Sequence, residues 1–358
     1  MNTDTAGAAR AELLISLAKS FLSSDWNNQN PPKVFALPGD AGFRRYYRLQ
    51  SNPPIMLVDA PPEHEDCMSF VQIDGLFREL GVHSPEVLAV DYQNGFMLLE
   101  DLGEKHYQQV LNPENQDELY TAALETIAKI QTCSERPKWM ANYSASKLRE
   151  EMLLFPRWFV KELLGFSCDK SAEKVLDTLF CELQSSALEQ PRVVVHRDFH
   201  VRNLMHSVNP PGVIDFQDAV WGPITYDLAS LLRDCYIRWP AKKIDSALLA
   251  YQSRLERRGV LDENQRGKFR QWFDLMGLQR HVKVLGIFAR LALRDGKQRY
   301  LQDLPLVIRY TLEVVDQYPQ FAQFSHWFRE ELVPLAELQS WYNNWEIAGD
   351  EHLKVFAV

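Results

Sequence analysis

Val193-Val194-Val195-His196-Arg197-Asp198-Phe199-His200-Val201-Arg202-Asn203-Leu204 decides the reading of this 358-residue chain. Three β-branched residues predict a short buried strand. The strand runs into a loop that presents Asp198, and Asn203 follows five residues later. A second apolar run, Gly212-Val213-Ile214, ends in Asp215 and Phe216. Either half alone is a common pattern. Together they predict an Asp, an Asn and a second Asp at the ends of two adjacent strands. Phosphoryl transfer uses such a set. One carboxylate accepts the proton of an attacking hydroxyl, while an amide oxygen and the second carboxylate hold Mg²⁺ against nucleotide phosphates.

The composition around this stretch sets limits. Apolar residues make up 46% and charged residues 24%, ordinary values for a globular chain with a sizeable core. The net charge is −9 and there is no basic block, so no nucleic-acid partner is expected. A local cluster of arginines can still hold a small anion against that global sign. The five cysteines, Cys67, Cys133, Cys168, Cys181 and Cys235, are scattered without metal-ligand or CxxC spacing, as in a reducing compartment. The apolar stretch Leu13 to Leu22 is broken by Lys19 and preceded by Glu12, so no secretion signal is read there. No window reaches the roughly 18 uncharged apolar residues of a membrane span. These features predict a cytoplasmic protein without a membrane partner; they leave the oligomeric state open, a monomer being compatible with them.

Periodicity divides the chain. Ala8 to Leu22 and Asp66 to Leu80 have helical spacing. Val34 to Leu37, Tyr46 to Leu49, Ile55 to Val58, Val87 to Val90 and Phe96 to Glu100 read as strands. After Gly103 the pattern turns helical, over Leu119 to Thr132, Ser146 to Leu164 and Ser171 to Leu188. Beyond Thr225 it is almost wholly helical, over Asp227 to Ile237, Ile244 to Arg257, Gln265 to Ala292 and Leu304 to Asp316. The expected division is a small sheet-bearing lobe, residues 1–103, and a large helical lobe, residues 104–358.

His196-x-Asp198-x-x-x-x-Asn203 followed by Ile214-Asp215-Phe216 resembles the catalytic and metal-binding loops of protein-kinase-like enzymes. Ile-Asp-aromatic in the second motif, and His200 two residues past the aspartate, resemble their small-molecule branch, the aminoglycoside phosphotransferase family. Tyr226-Asp227-Leu228-Ala229 resembles that family's downstream acidic element. The stretches 216–223, 233–236, 278–290 and 294–297 are similar to one bacterial subfamily, anomeric kinases for N-acetylmuramate and N-acetylglucosamine. The resemblance implies an α+β, two-lobed, kinase-like fold with a small antiparallel sheet and a large helical lobe. It also implies ATP and Mg²⁺ as cofactors and a small amino sugar as substrate, phosphorylated at its C1 hydroxyl in cell-wall recycling.

On that resemblance Asp198 is the base or hydroxyl-orienting residue, with His200 beside the transferring phosphate. Asn203 and Asp215 are the metal ligands. His196 and Asp227 support the loop. The turn carrying Gly39 and Gly42 covers the phosphates, where glycine permits close backbone approach. Glu100 and Leu102 stand at the hinge that meets adenine. The third strand, however, has no lysine to grip the α- and β-phosphates. Arg45 is taken as its replacement, with Arg44 and Arg48 as alternatives, because guanidinium forks suit phosphate.

Gln217, Asp218, Arg233, Arg280 and His281 are the candidate sugar contacts. Against this, Arg280, Lys283 and Arg290 lie at helical spacing and also fit a solvated stripe. Two competing readings follow from the same residues. One is a kinase for another small hydroxyl acceptor, such as an aminoglycoside, choline or a different sugar. The other, prompted by the missing lysine, is a nucleotide-binding pseudokinase.

Overall fold

The computed structural model describes residues 3–22, 32–37 and 42–356. The chain divides into two units, Met1–Val110 with Arg202–Gln217, and Leu111–Val201 with Asp218–Val358. The sequence boundary at residue 103 does not foresee that the segment Arg202–Gln217 packs with the first unit.

The first unit is built on five antiparallel strands: β1 (Val34–Ala36), β2 (Arg45–Leu49), β3 (Ile55–Asp59), β4 (Val87–Asp91) and β5 (Phe96–Glu100). Their order in the sheet is β1-β2-β3-β5-β4. Alternation sends successive side chains to opposite faces. Leu49, Ile55, Leu57, Phe96 and Leu98 share one face and pack against Leu14 and Ala18 of helix α1 (Thr3–Phe21). Asp59 lies on that same face. Its carboxylate accepts from Arg10 of α1, Nε at 2.9 Å and Nη2 at 2.6 Å. The acid that stands where the sequence lacks a lysine thus fastens α1 to the sheet.

Helix α2 (Cys67–Glu79) starts at Asp66, whose side chain accepts the Met68 N–H at 2.8 Å, an ordinary N-cap. It buries Phe70, Ile73, Asp74 and Phe77. Asp74 accepts from the Ser84 hydroxyl at 2.5 Å, so this helix carboxylate meets a hydroxyl in place of a strand lysine. Strands β6 (Arg192–Val195), β7 (Leu204–Met205), β8 (Gly212–Val213) and β9 (Val220–Pro223) follow. β7 and β8 form a hairpin in the first unit, held to it where the Val213 N–H donates to the His83 carbonyl at 2.8 Å.

In the second unit β6 pairs with β9, a strand the periodicity did not predict. The expectation that Asp198 and Asp215 follow adjacent strands is therefore corrected. β6 and β8 belong to separate two-stranded sheets, because each short strand finds its partner in a local return of the chain. The rest is helical. The longest helix, Glu263–Asp295, opens with a reciprocal capping box between Asp262 and Gln265 and ends at Gly296 in the left-handed region. The predicted helix Ser146 to Leu164 is instead an α-helix, Ala145–Met152, and a π-helical stretch, Phe155–Leu163. Pro156 stands at the start of that stretch, where it removes a backbone donor. Phe155 and Phe159 pack there with Leu278, Val282 and Leu285 of the long helix. No helix of the described residues is long and apolar enough to cross a membrane.

Gly286 permits this packing. A Cβ there would lie 2.3 Å from the Leu154 carbonyl carbon and 2.6 Å from the Phe155 nitrogen. Backbone cannot give way as a side chain can. Gly286→Ala is expected to lower the unfolding free energy by about 1–3 kcal/mol, read by urea denaturation. An unchanged midpoint would show that the π-helical stretch yields.

Candidate active site

In the second unit, β6 delivers His196, Arg197 and Asp198 from a buried strand. The Asp227 carboxylate accepts the backbone N–H of His196 at 2.8 Å and of Arg197 at 2.9 Å. It sits at the start of the helix Tyr226–Leu232 and is fully buried. At the other end of the loop, Asp234 accepts the Val201 N–H at 3.2 Å and the Tyr236 N–H at 2.9 Å. Two carboxylates from one helix and its exit thus hold both ends of the loop. Between them Arg197 adopts φ 80°, a left-handed conformation costly for a non-glycine residue. His196 is buried, and its Nδ1 accepts the Asp198 N–H at 3.3 Å, the supporting role expected of it.

The Arg197 side chain turns away and pairs with Glu151, itself buried and bonded by the Tyr143 hydroxyl. Lys283 of the long helix joins them, its Nζ 3.3 Å from both Glu151 and the Tyr226 hydroxyl. Lys283 and Arg280 are 6% and 3% exposed, which excludes a solvated stripe for these two. Burial pushes the Asp198 carboxyl up. Lys283, Arg197, His200 and Arg280 outweigh it and hold the group well below the usual carboxylate range. Asp198 is an anion throughout the physiological range, set among cations.

The sugar candidates separate clearly. Arg233 is buried and spends one nitrogen on Asp274 at 2.5 Å. His281 stacks on Tyr310 at 5.0 Å and its Nε2 meets the Arg233 carbonyl at 3.0 Å. Burial pushes it down to about 3, so it is neutral. Arg280 stands over the Tyr226 ring and keeps a buried Nη1 without a partner among the described residues. Asp218 is exposed, and its carbonyl accepts from Arg197 at 3.3 Å. His200 sits edge-on to Tyr236 at 5.3 Å.

In the first unit, the second half of the motif is equally organised. β8 ends at Val213, and two residues later Asp215 takes φ 62°, in the left-handed region. Phe216 is buried against Phe70 and Phe77 of α2, at 4.7 and 5.5 Å. That anchor leaves Asp215 exposed. Its carboxylate accepts from Asn203 Nδ2 at 3.3 Å and Gln217 Nε2 at 2.7 Å. A half-turn of the Asn203 amide presents Oδ1 on the same side, so the two residues offer hard oxygen donors. No cluster of three or more His, Cys, Asp or Glu that holds a metal occurs among the described residues. A donor pair of this kind suits Mg²⁺, which binds one or two protein oxygens and takes phosphates and water for the rest.

At the end of β5, Glu100 donates its N–H to the Glu86 carbonyl at 2.8 Å, and its side chain accepts from the Glu86 N–H at 3.2 Å. Leu102 is buried beside Gly212. Its own N–H and carbonyl make no hydrogen bond among the described residues. Gly42 is exposed and close to Glu65; Gly39 lies outside the described residues. Arg45 is exposed at the start of β2. Arg48 is spent on Asp101 (2.5 and 3.0 Å), Glu104 (2.5 Å) and the Gly103 carbonyl (2.8 Å).

The profile of the phosphotransferase enzyme family matches residues 33–262. The chain belongs to the phosphotransferase enzyme family. It is 42% identical over 310 residues to the N-acetylmuramate/N-acetylglucosamine kinase of Pseudomonas aeruginosa, covering 86% of this chain and 91% of that one. It is 35% identical over 346 residues to the protein of the same name from Neisseria meningitidis, covering 94% and 96%. Among solved structures it is similar to a choline kinase from Cryptosporidium parvum (TM-score 0.58, 13% identity, 89% of this chain and 99% of that one). It is also similar to an ADP-bound aminoglycoside phosphotransferase (TM-score 0.53, 16% identity, 84% and 98%). The kinase-like α+β fold expected from the motifs is the fold of this family member.

Sequence reasoning missed Glu151, Tyr143 and Asp234, and left Lys283 open. A charge between Val282 and Val284 in an apolar helix was the one available signal. Because Asp198 stays ionised, its protonation sets no acidic limb in the kcat profile above about pH 5. Lys283→Met removes the leading cation and leaves burial less opposed. The Asp198 pKa then rises toward the ordinary carboxylate range, and an acidic limb that wild type lacks is expected to enter the kcat profile. A profile unchanged from wild type would show that Lys283 does not govern Asp198.

Proposed function

We propose that this phosphotransferase is an ATP-dependent sugar kinase that phosphorylates the anomeric C1 hydroxyl of N-acetylmuramate and N-acetylglucosamine. The product is the sugar 1-phosphate, a step in cell-wall recycling. The observation that carries this reading is the similarity, along most of the chain, to relatives named for these two sugars. The complete Asp198, Asn203 and Asp215 set supports it. It also weighs against the pseudokinase reading.

Asp198 hydrogen-bonds the C1 hydroxyl and aims an oxygen lone pair at the γ-phosphorus. The sugar O–H bond breaks as the O–P bond forms and the bond to the β-phosphate oxygen cleaves. The proton passes to Asp198. A carboxylate held well below its usual range is a weak base, so it takes the proton late, as the oxygen loses electron density to phosphorus. An anomeric hydroxyl, more acidic than an ordinary alcohol, suits that weak base. Asn203 and Asp215 would hold Mg²⁺, which when bound neutralises charge on the phosphates. Leu102, with its unengaged N–H and carbonyl, is the hinge residue for adenine. Arg280 and Arg233 both keep a buried Nη1 unpartnered among the described residues; Arg233 is already paired with Asp274, and Arg280 is taken as the cation for the sugar side.

The test is ADP release with Mg-ATP and N-acetylmuramate, N-acetylglucosamine, glucose or kanamycin. Turnover is expected with the two acetylated amino sugars, and Asp198→Asn is expected to lower kcat by about 10²–10⁴-fold. Turnover of kanamycin in preference to amino sugars, or unimpaired turnover by Asp198→Asn, would sink the proposal. Arg280→Leu is expected to raise the sugar KM about tenfold or more and to leave the ATP KM within about twofold.

A further inference from the structure

Arg44 stands just ahead of β2, and Arg45 and Arg48 lie within it; strand alternation sorts the last two. Arg45 shares a face with Tyr47 and Leu49, the face that packs on α1, and it pairs in register with Asp59. Arg48 and Tyr46 are on the opposite face, and Arg44 is directed toward Phe70 of α2. Arg48 is consumed by Asp101, Glu104 and Gly103. Arg44 remains.

Arg44 is a prepared group. Its Nη2 lies 2.8 Å from Glu65 Oε2, and the two side chains are 9% and 14% exposed. Its Nε is buried and has no partner among the described residues. The other oxygen of Glu65 accepts the Phe43 N–H at 3.2 Å, and the Phe43 ring stacks on His64 at 4.1 Å. The residues that enter β2 are therefore clamped to the lead-in of α2 by a carboxylate and a ring stack. The Arg44 guanidinium stands over Phe70, 6.0 Å from the ring centroid. Phe70 in turn packs on Phe216, the neighbour of Asp215. Burial pushes the Tyr46 phenol up to about 12, and Arg44, which lowers it, and Asp215, which raises it, both act there. The packed rings Phe70 and Phe216 thus lead from the cation to the neighbour of the exposed carboxylate.

We propose that Arg44, braced by Glu65, grips the phosphates of ATP in this protein, and that the Arg44–Glu65 pair does the work for which β3 offers no lysine. The inference rests on the proposal that the site takes ATP. A polyphosphate beside Asp215 needs a cation held still. A guanidinium with one nitrogen tied to Glu65 and Nε uncommitted can pair two phosphate oxygens without losing its brace. Glu65 is the positioning residue: it fixes the fork and does not touch the nucleotide.

The test is equilibrium binding of a fluorescent ATP analogue, with adenosine as a competitor, to the full-length protein and its Arg44→Ala, Glu65→Gln and Arg45→Ala variants. Arg44→Ala is expected to weaken ATP binding about tenfold or more, while adenosine binding stays within about twofold. Glu65→Gln is expected to weaken ATP binding about threefold, since the cation remains but its brace is lost. ATP binding by Arg44→Ala equal to wild type, or a loss confined to Arg45→Ala, would overturn the proposal. Equal loss of ATP and adenosine in Arg44→Ala would also overturn it, showing a fold support in place of a phosphate grip. A wild-type protein that binds ATP but phosphorylates no amino sugar would remove the sugar-kinase reading and leave this one standing. A wild-type protein that binds no ATP would remove both.

Discussion

The Asp227 carboxylate, closed away from water, accepts two successive backbone N–H groups at the point where β6 becomes the catalytic loop. Hydrogen bonds to a charged acceptor contribute about 1.5–3 kcal/mol each. That is enough to offset the roughly 1–3 kcal/mol of a left-handed non-glycine residue such as Arg197. The bent backbone sends the Arg197 side chain toward Glu151 and Asp198 another way. Asp234 repeats the device at Val201. The loop is held through its backbone, so its side chains remain available for chemistry.

Burying charge is costly unless each charge is compensated. Around Asp198 the compensation is built from distant parts of the chain. Glu151 comes from the helix before the π-helical stretch, Lys283 and Arg280 from the long helix, and Arg197 from the loop itself. Glu151 and Asp198 balance Arg197 and Lys283, and the hydroxyls of Tyr143 and Tyr226 fill further hydrogen-bonding positions. Such a network keeps Asp198 ionised, because neutralising it would leave cations uncompensated. Arg280 and Arg197 each keep a buried donor without a partner among the described residues, Nη1 and Nε respectively. In the first unit the same logic recurs in a simpler form. Phe216 is fixed by aromatic packing, Asp215 takes a left-handed backbone conformation, and two neutral amides orient its carboxylate.

Much of this was legible in local pattern. Apolar spacing located the strands of the first sheet and most helices, since those elements bury one face against a neighbour. The candidate residues Asp198, Asn203 and Asp215 stood out because phosphoryl transfer needs particular side chains at short, fixed spacings. β9 was not, because Val220-Trp221-Gly222-Pro223 has poor strand composition and pairs only because β6 offers it an edge. The break into a π-helical stretch at Phe155 depends on the close approach of Gly286, some 130 residues on, which no local window contains.

Sequence alone determined the class of chemistry and the types of most elements, since both follow from side-chain identity and near-neighbour spacing. Tertiary structure decided which charges are buried and how each of the three arginines around β2 is engaged. Lys283 and Arg280 look like a solvated stripe until Glu151 and Asp198 are brought against them. Arg44 looks no better than Arg45 until Glu65 braces one and the register sets the other against Asp59. Burial and pairing are relations between residues far apart in the chain, and only the folded backbone sets them.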